Sequence, residues 1–165
     1  LGRTVLLTKL DGTVVYGDRY YAIHTNRWSD GAVGPHGYRQ LERFALEGTV
    51  PVWRYACADA LLEQRIWMQP GANTTYIYYH LLRATQPFHL TLKALVNYRD
   101  YHSRTRGQGW AMAAIPVDHG VQVSAYEGAT KFLLMSDRAQ FDPVHDWYFG
   151  FDLAAERERG LSDRD

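Results

Sequence analysis

Apolar and polar side chains alternate without a break over residues 88–96. Phe88, Leu90, Leu92, Ala94 and Val96 fall on one side, and His89, Thr91 and Lys93 on the other. Successive side chains of a strand point to opposite faces, so a period of two predicts a strand with one covered face. The stretch 74–82, Thr-Thr-Tyr-Ile-Tyr-Tyr-His-Leu-Leu, is dense in β-branched and aromatic residues and predicts another. Residues 3–9 and 13–16 read as the arms of a hairpin turning at Asp11-Gly12, a dipeptide suited to the positive φ of a tight turn. Gly17-Asp18 then leads into a tyrosine-rich strand at 19–24, extending a meander.

A loop follows at 26–37, carrying Gly31, Gly34, Pro35 and Gly37. Alternation resumes over 38–46 and 50–55. Pro51, which has no N–H to give a ladder, predicts an edge position. Residues 56–64 have helix-favouring composition, but they are short and 65–68 resumes a strand pattern. They predict a hairpin turning near Asp59-Ala60. Pro70 to Asn73 is a turn. Three more strands are expected at 110–115, 121–125 and 131–135, with Pro116-Val117-Asp118 turning between the first two. A last strand-like piece covers 144–151. Residues 103–109 read as a loop, 153–159 as the one helix, stopped by Gly160, and 162–165 as a linker. About ten short strands and almost no helix predict an all-β, antiparallel β-sandwich with at most one short C-terminal helix.

A chain of 165 residues supports one domain with a sizeable core. Formal net charge is zero, which argues against a nucleic-acid or anionic-membrane surface. The single cysteine, Cys57, excludes an internal disulfide and reads as a small buried hydrophobe. With no signal peptide and no apolar run of membrane-spanning length, the expected location is cytoplasmic. The chain begins Leu1-Gly2-Arg3 without an initiator methionine, so it is expected to be a piece of a longer protein.

Phosphate-loop, Gly-x-Ser-x-Gly and clustered histidine patterns are absent, and neither a metal nor a cofactor is expected. What remains is aromatic and polar surface. Twelve Tyr and five Trp concentrate in part around three clusters. The first is Asn97, Tyr98, Arg99, Asp100, Tyr101 and His102. The second contains His36, Tyr38 and Arg39, and the third Trp147 and Tyr148. Bidentate donors beside flat rings suit a polyol, and Arg99 and Asp100 can hold each other. The same residues also suit a polar knot at a strand end or an interface with a neighbouring domain. Trp28 and Trp110, both near loops, are candidates for an exposed aromatic platform. His36 or His102 with Asp100 is the pairing that a sugar epimerase would need.

Several stretches, taken in order, resemble one family. They are Gly2 to Asp11; Gly34-Pro35-His36-Gly37-Tyr38-Arg39; Leu95 to His102; Asp146-Trp147-Tyr148; and Glu156-Arg157-Glu158-Arg159-Gly160-Leu161. Together they resemble the N-terminal domain of bacterial and archaeal glycogen debranching enzymes of the amylo-α-1,6-glucosidase type, over essentially the whole chain. The resemblance implies a supersandwich of the galactose-mutarotase-like kind spanning 1–165, with 152–165 starting a linker to a downstream (α/α)6 barrel. That barrel would supply the two carboxylates of glycoside hydrolysis. The implied role is non-catalytic: packing on the barrel and shaping an α-glucan cleft, with glycogen as substrate. A stand-alone α-glucan-binding module and a sugar epimerase-like sandwich are the alternatives.

Overall fold

The computed structural model describes residues 2–103, 105 and 110–161. Of the loop expected at 103–109 only residues 103 and 105 are among them, and the expected linker 162–165 lies outside the described residues. Twelve strands and one five-residue helix, α1 (Ala154–Glu158), make the described chain all-β, with sequence-adjacent strands pairing antiparallel within each sheet. The chain forms two compact units, one of residues 10–94 and one of residues 1–9 with 95–165. Strands β1 (Thr4–Tyr16) and β9 (Phe88–Asp100) contribute residues to both.

The unit of residues 10–94 is built on a sandwich. One sheet has the order β2-β1-β9, with β2 at Arg19–Ala22. The other runs β5-β6-β7-β8, namely Leu41–Glu47, Val50–Cys57, Ala60–Met68 and Thr75–Arg83. Val14, Tyr16 and Ile23 meet Tyr55, Cys57, Ala60 and Leu62 in the core, with Trp53, Tyr79, Phe88 and Leu90 packed around them. Each fully buried large apolar side chain contributes about 1.5–3 kcal/mol. Burial also pushes the Cys57 thiol up to about 11, so it stays protonated. Tyr16 closes one end of the core. Its hydroxyl bonds the Asp59 carboxylate at 3.1 Å and accepts the Thr85 N–H at 2.9 Å. The Thr85 hydroxyl, 2.8 Å away, and then the Tyr16 hydroxyl hold the Asp59 carboxyl below its ordinary range.

Three expectations are corrected here. Asp11-Gly12 is no turn: β1 runs straight through it, with both residues buried. Asp11 accepts the Asn26 amide at 3.0 Å, and a Cβ on Gly12 would lie 2.7 Å from Ile23 Cγ1. The glycine therefore serves close packing and the aspartate a buried polar contact. Pro51 is not on an edge strand, because β6 lies between β5 and β7. It is tolerated because the β6–β7 register begins only at Val52. Residues 37–40 form a short 3-10 turn rather than the start of a strand. The hairpin near residue 59 stands, turning at Ala58-Asp59 with Ala58 at φ 55°.

The second unit carries the sheet β10-β11-β12, namely Ala113–Val117, Gly120–Ser124 and Phe132–Met135. Pro116 lies within β10, and the turn falls at 118–119 instead. One face packs Val121 and Val123 with Phe132 and Leu134 opposite them in register. The strand expected at 144–151 does not form over residues 144–150, where Trp147 anchors the segment through its indole N–H.

Candidate functional site

Asn97 to Asp100 are the last residues of β9, so the polar cluster begins inside the strand and not after it. The strand then turns at residues 101–103. That turn directs several backbone carbonyls toward one side chain. Arg99 Nη1 donates to the carbonyls of Asp100, Tyr101 and Ser103 at 3.3, 3.2 and 2.6 Å. The Asp100 carboxylate accepts the His102 N–H at 2.9 Å, a local Asx-type bond. The expected Arg99–Asp100 side-chain pair is thus replaced by separate bonds of each side chain to backbone, three from Arg99 and one to Asp100. Asn97 Oδ1 accepts the Tyr98 N–H at 2.7 Å and the Thr105 hydroxyl at 2.8 Å. Much of the cluster's hydrogen-bonding capacity goes into holding the strand end.

The rings are what it presents outward. Tyr101 is exposed and lies against His102, with centroids 3.7 Å apart, and the Arg3 guanidinium sits 5.5 Å from the Tyr101 ring. His102 and Asp100 are both exposed and meet through the His102 amide, not in an enclosed pocket. Tyr98 sets its edge against Tyr126 at 5.5 Å, and its hydroxyl accepts the Thr130 N–H at 3.3 Å.

Trp110 and Trp147, expected in separate roles, are neighbours. Their ring centroids are 5.6 Å apart, and Trp147 Nε1 donates to the Trp110 carbonyl at 2.9 Å. Trp110 Nε1 in turn donates to the carbonyl of Ala125 at 2.7 Å. Both indoles are half-buried, and Phe149 continues the row at 6.5 Å from Trp147. Tyr148 is half-buried beside them in sequence. Tyr126 and Phe149, more than half exposed, extend the aromatic surface beyond the expected residues. Phe149 stood next to an expected residue, and Tyr126 follows a strand directly at a Glu-Gly turn.

His36, Tyr38 and Arg39 belong to the unit of residues 10–94 and are all exposed. His36 and Tyr38 meet edge to face at 5.7 Å. Their turn is anchored through Gly37, whose N–H bonds the His24 carbonyl at 3.0 Å; a Cβ there would collide with the His24 backbone. Trp28 is half-buried, its Nε1 donating to the Gly34 carbonyl at 3.3 Å. Neither Trp28 nor Trp110 is an open platform, and neither is fully buried.

The sequence reading passed over the outer face of the β5–β8 sheet. Arg54 and Arg65 both clasp Glu63, at 2.9 and 2.8 Å, and Arg65 also reaches Glu47 at 2.6 Å. Burial raises the Glu63 carboxyl, but the two guanidiniums outweigh it and hold the group below its ordinary range. Beside them Trp67 stacks on Tyr76 at 5.3 Å and 19°. The period-two alternation of 63–67 and 76–80 was the signal available for this face. Among the described residues, no group of three or more His, Cys, Asp or Glu could hold a metal ion.

These features define an all-β sandwich with surface aromatic rings set among fixed polar groups. The family described as glycogen debranching enzyme N terminal matches residues 1–165. The chain therefore belongs to the glycogen debranching enzyme N-terminal family. No curated protein and no solved structure matches it.

Proposed function

We propose that this chain is the non-catalytic N-terminal domain of a cytoplasmic glycogen-debranching glycoside hydrolase. In this reading residues 1–165 form the sandwich part of a longer protein, and 152–165 start the linker to an (α/α)6 catalytic barrel. The sandwich packs on that barrel and helps shape the cleft for a branched α-glucan. The barrel supplies both carboxylates of the hydrolysis, while Tyr98, Tyr101, Trp110, Trp147 and Tyr148 contribute ring surface at the cleft. Asn97, Arg99, Asp100 and His102 hold the strand end that positions those rings. His36, Tyr38, Arg39 and Trp28 provide further contacts to glucan or barrel.

The observation that carries the packing role is the outward face of the β10–β12 sheet. Ile115 and Leu133 flank Gln122, and Val117 and Met135 flank Gly120. All four apolar side chains are 39–55% exposed. A largely apolar sheet face of this kind, broken by Gln122, suits a covering partner. The same sheet's inner face already packs its own core, so the outer one is surplus to the unit's folding. A second reading, in which this domain holds α-glucan by itself, is favoured by the exposed rings of Tyr126, set against Tyr98, and of Phe149, next to Trp147.

The test is glucose release from a branched malto-oligosaccharide by the full-length protein that contains this chain. Cleavage of α-1,6 branches is expected. A full-length protein that is folded and leaves the branches intact overturns the reading.

A further inference from the structure

The outer face of the β5–β8 sheet carries chemistry that the proposed cleft does not use. Cross-strand partners share a face, so Trp67 and Tyr76 form one row, and Arg65 with Tyr78 the next. The row after that is Arg54, Glu63 and His80. Tyr76, Tyr78 and His80 thus follow one another along β8, an edge strand, over about 14 Å from first to last.

The rings are ordered by contact with each other and are open to solvent. Trp67 and Tyr76 are stacked at 5.3 Å, with exposures of 38% and 43%. Tyr78 and His80 lie 5.9 Å apart, with Tyr78 46% exposed. The Tyr76 hydroxyl is fixed by Gln69 Oε1 at 3.0 Å. The charges beside them are already neutralised. Glu63 accepts Nε from both Arg54 and Arg65, and Glu47 accepts Arg65 Nη1. Among the described residues, the Nη groups of Arg54 and the second Nη of Arg65 donate to no protein group, and both side chains are 31% exposed. They are hydrogen-bond donors held rigid by Glu63, with little net charge to spend on an anion.

We propose that this face binds a neutral polyhydroxyl chain, an α-glucan segment. Sugar C–H faces lie on the Trp67, Tyr76 and Tyr78 rings, and ring hydroxyls accept from Arg54 and Arg65. The choice of α-glucan rests on the debranching reading given above. The ring arrangement by itself calls for an uncharged sugar ligand. Such a face would hold the protein on glycogen without taking part in bond cleavage, so its loss is read in glycogen affinity and not in the turnover of a short branched substrate.

The experiment uses the full-length protein. Glycogen affinity is read by native gel electrophoresis in glycogen, and debranching by glucose release from a short branched oligosaccharide. Trp67→Ala/Tyr76→Ala is expected to weaken glycogen affinity about tenfold and to leave turnover of the short substrate within about twofold. Trp67→Phe keeps a ring in the stack, so it serves as the folded control. It is expected to retain affinity and to lose the tryptophan emission change on adding maltoheptaose. Unchanged glycogen affinity in the double variant, or an undiminished emission change in Trp67→Phe, overturns the proposal. An inactive full-length protein whose glycogen affinity still falls in the double variant overturns the debranching reading and leaves the binding face standing.

Discussion

At the scale of single residues, Glu63 shows how a charge can be buried on an outer sheet face. Its carboxylate is 3% exposed as a residue because two guanidiniums fold over it, and Val52 beside it is covered to the same degree. Removing one member leaves the others unpaired. The carboxyl's folded value lies below the ordinary 4.5. Its contribution to stability is therefore complete above that ordinary value and is lost as pH falls through the lower, folded one. Glu63→Gln is expected to lower the urea midpoint at pH 7, and the gap from the unaltered protein should narrow as pH drops below about 4.5. Urea titrations at pH 7 and pH 3 check this. A gap that stays constant with pH would remove the ion pairs from the account. The same scale explains why Arg99 and Asp100 were misjudged. Adjacent opposite charges suggest a pair, but a strand end supplies backbone carbonyls and amides that are closer and better directed.

At the scale of elements, alternation was a sound guide to strand identity and a poor guide to strand ends. The stretches 88–96 and 74–82 were legible because their side-chain period matches the pleat. Asp11-Gly12 was misread because the dipeptide is equally suited to a hairpin turn and to a strand crossed closely by another chain segment. What decides between them is Ile23, which packs directly over Gly12. Gly12→Ala drives a methyl into the buried Ile23 side chain, which is only 7% exposed. A loss of about 1–3 kcal/mol is expected, read as a lower urea midpoint with unchanged slope. An Asp11-Gly12 turn exposed to solvent would instead tolerate the change. The ring surface was half legible. Trp110 and Trp147 could be named, but their contact spans 37 positions and has no local signature.

At the scale of the whole molecule, the sheet β10–β12 carries apolar side chains on both faces, and the proposed packing on a further domain is tested on the outward one. Leu133→Lys/Met135→Lys places charge on its outward face, where neither side chain is part of the buried core. In the full-length protein this pair is expected to lower the temperature of thermal inactivation, whereas Tyr20→Lys, at a residue 79% exposed, leaves it unchanged. Equal behaviour of the two variants would mean that no domain covers that face. Among the described residues no helix is long and apolar enough to cross a membrane.

The amino-acid order alone determined the all-β class, the antiparallel hairpins at 17–18 and, to within a residue, near Asp59-Ala60, the short terminal helix and the family. Each of these depends on neighbours in sequence or on a pattern spread along it. Only the tertiary structure decided that Asp11 and Gly12 lie inside a strand, that Trp110 touches Trp147, and that Trp67, Tyr76 and the Arg54–Glu63–Arg65 group share one face. Those facts depend on which strands pair and in which register. Register is set by long-range packing, and a shift of one residue would have sent each of these side chains to the opposite face.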